Sequence, residues 1–349
     1  MIQVSYRFIF YIILLLEIFM MVTISNIYAT ERIRWKMQHT GLPGQVKPIE
    51  EFAETLKIMS EGKINLRLYK SNSLVPNNEI WNAIESKQLD SGMSSALYVL
   101  DKNPELSVFS AIPFGPSITE FKAWMNFGGG QELKNEIYSK RGIKAIGCGF
   151  TATESGGWFK NHYKSAGELK GINMRIYGLG AKVMQKIGVK TQVVSFKEIK
   201  NAFKKGKIDA AEFGYPAIDY LIGMHNLAKY NYYPGWQQQF AVVDFIVQKD
   251  KWDGLSKAAR KIFEVTCDHN QLLSHIRSNN LQPEAMRKLE KEGVNFITWK
   301  DSDLRKFEKA WDKVAEEISA ENPIFKKVYS KYSEFRKQYA IWGDKAYLK

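Results

Sequence analysis

A short passage is written twice in this chain. Glu79-Ile80-Trp81-Asn82-Ala83-Ile84, with Leu89-Asp90 shortly after it, recurs 119 positions later as Glu198-Ile199-Lys200-Asn201-Ala202-Phe203, with Ile208-Asp209 in the matching place. The flanks repeat as well. A helical pattern from Ile49 to Ser60, a glycine stop at Gly62 and a strand-like run from Ile64 to Tyr69 precede the first copy; Ala181 to Ile187, Gly188 and Val189 to Val194 precede the second. Helix, glycine, strand, loop, helix, strand therefore occurs in one order in two places, the mark of a duplicated supersecondary unit. The expected architecture is two similar α/β lobes with a cleft between them.

The amino terminus sets the compartment. Arg7 precedes an apolar stretch from Phe8 to Val22 interrupted only by Glu17, and Ile27-Tyr28-Ala29 offers a cleavage site before Thr30. Residues 1–29 read as a secretory signal peptide. The alternative, a membrane anchor, suits them less, because the uncharged run Phe8 to Leu16 falls well short of the ~20 residues a spanning helix needs. The mature remainder, 320 of 349 residues, is enough for two ordinary domains. Its net charge of +13 comes from lysines spread along the chain with no dense basic tract. That favours general solvation and some attraction to an anionic surface or ligand, and speaks against nucleic acid as a partner. Cys148 and Cys267 are the only cysteines and lack CxxC spacing; they read as buried thiols, with a bridge as the lesser alternative that export permits.

The pattern divides the mature chain into lobe I, residues 30–150 plus about 242–283, and lobe II, residues 151–241 plus about 284–318, with 319–349 as a helical extension. Strands are expected at Arg32 to Gln38, Val108 to Phe114, Lys144 to Phe150, Ile172 to Tyr177 and Ile208 to Phe213. Ala241 to Val247 is expected to cross back to lobe I. From Ser302 onward Phe307, Trp311, Val314 and Ile318 share one helical face, and a second aromatic-rich helix, Ile324 to Tyr339, follows Pro323. Such a tail either packs on its own body or is offered to a partner.

The usual catalytic signatures fail one by one. Gly178-Leu179-Gly180 has Val183 where the dinucleotide fingerprint needs its third glycine, the five histidines show no HExxH spacing, and Gly92-Met93-Ser94-Ser95-Ala96 has Ala96 where a nucleophile elbow needs glycine. Arg175 is the best candidate for a functional side chain: a guanidinium is a rigid two-donor fork that matches a carboxylate, and here it precedes a glycine turn. The plainer reading is a surface arginine on an edge strand. Glu212 and Glu154 lie in apolar or glycine-rich segments, where a carboxylate needs a partner. They can either hold a hard cation such as sodium or calcium or pair with a lysine or arginine. Tyr98, Trp158, Phe213 and Trp236 stand beside small-residue turns, and at least half of them are expected in the core rather than around a ligand.

These residues resemble a known family. Ala111-Ile112-Pro113-Phe114-Gly115, Met174-Arg175-Ile176 with Gly178-Leu179-Gly180, Asp209-Ala210-Ala211-Glu212 and Tyr233-Pro234-Gly235-Trp236 are similar to the extracytoplasmic substrate-binding proteins of tripartite ATP-independent periplasmic (TRAP) transporters, in the branch that binds 2-oxo acids and related monocarboxylates. The resemblance implies two α/β lobes closing on a small organic carboxylate, which is delivered to a sodium-driven membrane permease. It implies Arg175 as the carboxylate clamp and Glu212 with the Phe213 carbonyl as ligands of a metal site, where sodium or calcium is expected; Tyr98, Phe213, Trp236 and Gln238 are expected beside them as further substrate contacts, read from their places along the chain. Glu154 is implied as both a metal and a substrate contact, and the tail as an element of a swapped homodimer. Three positions depart from the branch: Phe213 stands where tryptophan is usual, Glu154 where glutamine is, and Gln238 about where a glutamate follows.

The resulting expectation is a periplasmic binding protein without catalysis. The competing expectation is an exported hydrolase using Glu154 and Glu212 as an acid/base pair in the same cleft.

Overall fold

The computed structural model describes residues 32–41, 45–100 and 102–346; the expected signal peptide, residues 1–29, lies outside them. Strand β1 (Ile33–His39) alternates buried Ile33, Trp35 and Met37 with exposed Arg34 and Lys36, as a half-buried strand must. Helix α1 (Val46–Met59) buries Ile49, Phe52 and Leu56 and returns the chain to β2 (Ile64–Tyr69), parallel to β1. Helix α2 (Ile80–Glu85) carries the first copy of the repeated passage and leads to β3 (Ser91–Ser94), on the other side of β1.

Helices α3 (Ile118–Phe127) and α4 (Gly130–Ser139) follow, then strand β4 (Ile143–Phe150). The expected strand at Val108 to Phe114 is absent: Pro104–Phe109 forms 3₁₀ turns, with Pro104 at the start and the Ser107 hydroxyl donating to the Pro104 carbonyl at 2.6 Å. Val108, Phe109, Ala111 and Ile112 are buried, so the apolar run does mark core, held by tight turns rather than by a strand.

The second lobe repeats the plan. Strand β5 (Gly157–Phe159) opens it; β6 (Asn173–Arg175), α5 (Gly178–Lys186), β7 (Lys190–Gln192), α6 (Phe196–Lys204) and β8 (Ala210–Ala211) then follow the order of β1 to β3. The expected strands at Ile172 to Tyr177 and Ile208 to Phe213 shorten to these cores. Helix α7 (Pro216–Leu221) and strand β9 (Tyr230–Tyr233) complete it before β10 (Val242–Gln248), which enters the first sheet between β3 and β4 as expected of a crossing strand. Helix α8 (Lys249–Asp253), the 35-residue helix α9 (Lys257–Lys291) and β11 (Asn295–Thr298) follow.

The two sheets run β2-β1-β3-β10-β4 and β11-β9-β5-β8-β6-β7. In both, the first strand of the unit lies parallel between the other two, and the strand beside the third is antiparallel. The repeated aspartate has one job in both copies. Asp90 accepts the backbone N–H of Lys36 at 2.7 Å, and Asp209 that of Asn173 at 2.9 Å, each tying the approach to the third strand onto the first.

Helix α9 joins the lobes. Ala259, Phe263 and Cys267 belong to the core beneath the first sheet, whereas Leu289 belongs to the core of the second lobe. Helix α10 (Asp301–Glu321) buries Phe307, Trp311, Val314 and Ile318 as expected and packs on α5. Helix α11 (Pro323–Ala346) turns back to the first lobe, burying Phe325, Val328 and Tyr332; Lys327 bonds Glu136 at 2.6 Å and Arg336 bonds Glu120 at 2.9 Å. Among the described residues no helix is long and apolar enough to cross a membrane.

Cys148 and Cys267 form a disulfide, correcting their reading as thiols. Packing of α9 on β4 brings their Cα atoms to 4.2 Å, which a separation of 119 residues did not reveal. Closing so long a loop restricts the unfolded chain strongly, and the bond is worth roughly 2–5 kcal/mol. A Cys148→Ala/Cys267→Ala protein should lose that much unfolding free energy in a urea titration and unfold at a lower midpoint, and the parent should move to the same midpoint in a dithiol reductant. Coincident curves for all three would remove the bond from the stability argument.

Candidate functional site

Arg175 ends β6 and points to the strand ends of the second sheet. Its Nη1 donates to the Glu212 carbonyl and, at 3.2 Å, to Glu212 Oε2; its Nε donates to the Val194 carbonyl at 3.3 Å. The guanidinium carbon lies 4.2 Å from the Tyr177 ring centroid and 5.2 Å from that of Phe213. At 6 % exposure it is no surface arginine. The backbone ladder fixes its neighbour too, since Glu212 N–H donates to the Arg175 carbonyl at 2.9 Å.

Glu154 reaches the same place from the segment linking β4 to β5. Gln238 Nε2 donates to its Oε1 at 2.5 Å, and Gln237 Nε2 donates to the Ser155 carbonyl at 2.6 Å. Here a glycine is required. A Cβ at Gly235 would stand 2.0 Å from the Glu154 carbonyl oxygen, so only glycine lets the turn after β9 lie against this segment. Burial, and then the charge of and a hydrogen bond with Glu212, push the Glu154 carboxyl well above the usual carboxylate range, while Arg175 pulls the other way.

Helix α9 steadies the approach to Glu154 through polar side chains four residues apart. Asn270 donates to the Cys148 carbonyl at 2.6 Å, Ser274 accepts from Phe150 N–H at 3.0 Å and Ser278 from Ala152 N–H at 3.0 Å. Gln282 accepts from Ala217 N–H at 3.0 Å, at the start of α7 in the second lobe. A helix face of period four thus meets the free edge of β4, whose backbone groups recur every second residue.

Between the lobes lies a cavity of about 240 Å³. Tyr98 and Gln45 line it from the first lobe, Glu154, Gln238 and Tyr215 from the opposite side, and Ser278 and Arg277 from α9. Gln45 Nε2 donates to the Tyr215 hydroxyl at 3.1 Å across the cleft. Of the expected site residues, Tyr98, Glu154 and Gln238 border the cavity; Arg175, Glu212 and Phe213 form the charged cluster next to Glu154. Trp236 does neither. It is 2 % exposed and stacked between Phe114 and Phe307, with centroids 5.8 and 4.9 Å away, so it braces the turn rather than facing a ligand.

Asp219, on α7, was not anticipated. It is fully buried; Trp158 Nε1 donates to its Oδ2 at 2.7 Å, and its Oδ1 has no partner among the described residues. Burial, with the Glu212 charge assisting, pushes its carboxyl from 3.8 up to about 7. The signal was within reach, an aspartate in the apolar run Ala217-Ile218-Asp219-Tyr220-Leu221, but its indole partner lies 61 residues away.

A cation would find only hard oxygen donors here: the Glu154 and Glu212 carboxylates and the Phe213 carbonyl. Among the described residues no three His, Cys, Asp or Glu side chains converge on a metal position, so a ligand's own oxygens would have to complete the shell of 6–8 oxygens that calcium takes. The donor chemistry fits sodium or calcium and does not suit a transition metal.

Comparison with known proteins decides the family. Residues 41–322 match the model for bacterial extracellular solute-binding protein, family 7. The chain belongs to this family of TRAP solute-binding proteins. A curated relative, the monocarboxylate 2-oxoacid-binding periplasmic protein of Nostoc sp., is 31 % identical over 314 residues, 89 % of this chain and 86 % of its own. A solved TRAP solute-binding protein from Bordetella bronchiseptica, a mixed-occupancy dimer with copurified calcium and picolinate, superposes with a TM-score of 0.85 at 28 % identity, covering 90 % of this chain and 95 % of the other. One from Pseudoalteromonas atlantica, with bound sodium and pyruvate, gives 0.83 at 27 % identity, over 90 % and 97 %. The family is periplasmic, works with membrane permeases and consists of binding receptors. It gives the hydrolase reading no support.

The buried aspartate yields a pH test. Its proton stabilises the native state fully below the unfolded value near 3.8, and that stability is lost as pH rises through about 7. Unfolding free energy measured by denaturant titration should therefore fall across this window in the parent and fall less in Asp219→Asn. Equal pH slopes in the two proteins would show that Asp219 is ionised throughout.

Proposed function

We propose that this protein captures a small organic carboxylate, a 2-oxo acid or related monocarboxylate, by closing its lobes around it, and delivers it to a TRAP permease. The observation that carries the reading is a buried guanidinium, Arg175, set at a strand end beside Glu212 and next to Glu154, which lines a small interlobe cavity. Ligands of open α/β sheets bind at such carboxyl ends. The cavity, about 240 Å³, lies below the roughly 300–1,000 Å³ of drug-sized sites, which suits a small acid. The relatives described as binding a 2-oxo acid, picolinate or pyruvate support the same class.

In this reading Arg175 takes the ligand carboxylate, with Tyr98, Gln238 and Phe213 around it, while Glu212, Glu154 and the Phe213 carbonyl hold a sodium or calcium ion that also touches the ligand. Lobe I comprises 30–150 and about 242–283, lobe II 151–241 and about 284–318. Residues 1–29 direct export. The extension from 319 offers Ile341 and Trp342, 71 % and 63 % exposed, to a second copy in a homodimer. Binding favours closure only by its difference in affinity for the closed and open forms.

Arg175→Ala should weaken binding of pyruvate by about 100-fold or more, as expected for loss of a charge-assisted fork, and Arg175→Lys should recover part of it. Unchanged affinity in isothermal titration would sink the assignment. For the cation, pyruvate affinity of the parent should fall in sodium-free buffer containing a chelator, and Glu212→Gln should abolish that dependence. A parent indifferent to both treatments has no metal in its site.

A further inference from the structure

The two copies of the repeated unit face different surroundings. In the first lobe α2 is covered: Trp81 is fully buried, its ring 5.2 Å from that of Tyr138, with Arg141 lying over it at 5.5 Å and bonding Glu85. In the second copy Lys200 stands where Trp81 does and Lys204 where Glu85 does, and both are exposed. The fold gathers more lysines around them. Lys190 on the outermost strand β7, Lys197, Lys200 and Lys204 on α6, and Lys205 and Lys207 just after it are all exposed, and none has an ion-pair partner among the described residues. Against these six lysines the segment 190–207 has one acid, Glu198, so it carries five of the chain's thirteen excess positive charges. The sequence reading of an even spread of lysine is corrected here.

We propose that this outer face of α6 and β7 is a docking surface for anionic lipid headgroups, holding the protein against a membrane while the cleft stays free. Three observations favour lipid over an acidic protein. Every cation is lysine, a compact point charge suited to diffuse attraction, and none is arginine, whose fork suits specific protein carboxylates. Ile199, Ala202 and Phe203, the apolar residues of α6 whose side chains are described, are buried, so among the described side chains of this helix there is no exposed aromatic anchor of the kind that centres a protein interface. The tryptophan against which lobe I packs a covering element is replaced by a lysine, so the equivalent apolar seat is missing.

Cosedimentation with vesicles of phosphatidylcholine, with and without phosphatidylglycerol, tests this at low and physiological salt. The parent should partition only onto the anionic vesicles and be released by salt. Lys200→Glu/Lys204→Glu/Lys205→Glu should lower partitioning by about 100-fold, following the usual contribution of each lysine near an anionic surface. The control Lys57→Glu/Lys257→Glu/Lys261→Glu, with the same net charge change on the first lobe, should lose far less. Pyruvate titration reports whether each variant is folded. Equal losses in the two variants would reduce the effect to net charge and overturn the proposal. So would absence of parent binding, or α6-dependent capture by a detergent-solubilised permease without vesicle binding, which would assign the face to a protein.

Discussion

One guanidinium among buried carboxylates is the constraint on which the site depends. Arg175 can neutralise one acid, yet Glu154, Glu212 and Asp219 all lie buried around it. A low-dielectric space disfavours that excess charge, so the Glu154 carboxyl is pushed well above the usual carboxylate range and that of Asp219 up to about 7. A ligand carboxylate would add a further negative charge beside these acids, and a cation of oxygen chemistry is the simplest group to offset it. Gln238 donates to Glu154, so an amide rather than a second acid meets this carboxyl.

The scaffold exists to hold that cluster still. Strand ends β6 and β8 fix Arg175 and Glu212 through consecutive backbone bonds. Glu154 has no such ladder, because it lies in the irregular link between two sheets. Its position comes instead from Gly235, which allows close backbone approach, from Gln237 and Gln238, and from the polar face of α9. The disulfide anchors α9 to β4 next to Asn270, the first rung of that face. A covalent bond thus lies at the root of a hydrogen-bonded series that ends, at Gln282, in the other lobe.

Much of this was legible in residues and their spacing. The repeat foretold the matched strand orders, and the stripe Phe307, Trp311, Val314, Ile318 foretold α10, because both signals are local. Helix α9 left no such trace. Its lobe I end buries Ala259, Phe263 and Cys267, its far end Ala285 and Leu289, and its middle is polar where it meets β4, so no single stripe runs its length. Its long-range partners, Cys148 for Cys267 and Ala152 for Ser278, are set by the fold alone. Trp236 misled for a related reason: an aromatic beside a glycine turn looks the same in sequence whether its ring faces a cleft or is stacked between Phe114 and Phe307.

The duplication also separates what a unit must keep from what it can change. Both copies keep the aspartate that bonds the first strand's backbone, Asp90 and Asp209, since losing it would leave a buried N–H without a partner. Both keep the apolar residues that face the sheet, Ile80 with Ala83 and Ile199 with Ala202. The outward position has no such obligation. Where α4 covers it, a lysine would be desolvated and Trp81 fits; where no described residue covers it, a tryptophan would expose a large apolar surface and Lys200 fits. The two lobes therefore share the strand ends that build a cleft while presenting different outer faces. Their inner likeness follows from one ligand site between them, and their outer difference from having different neighbours.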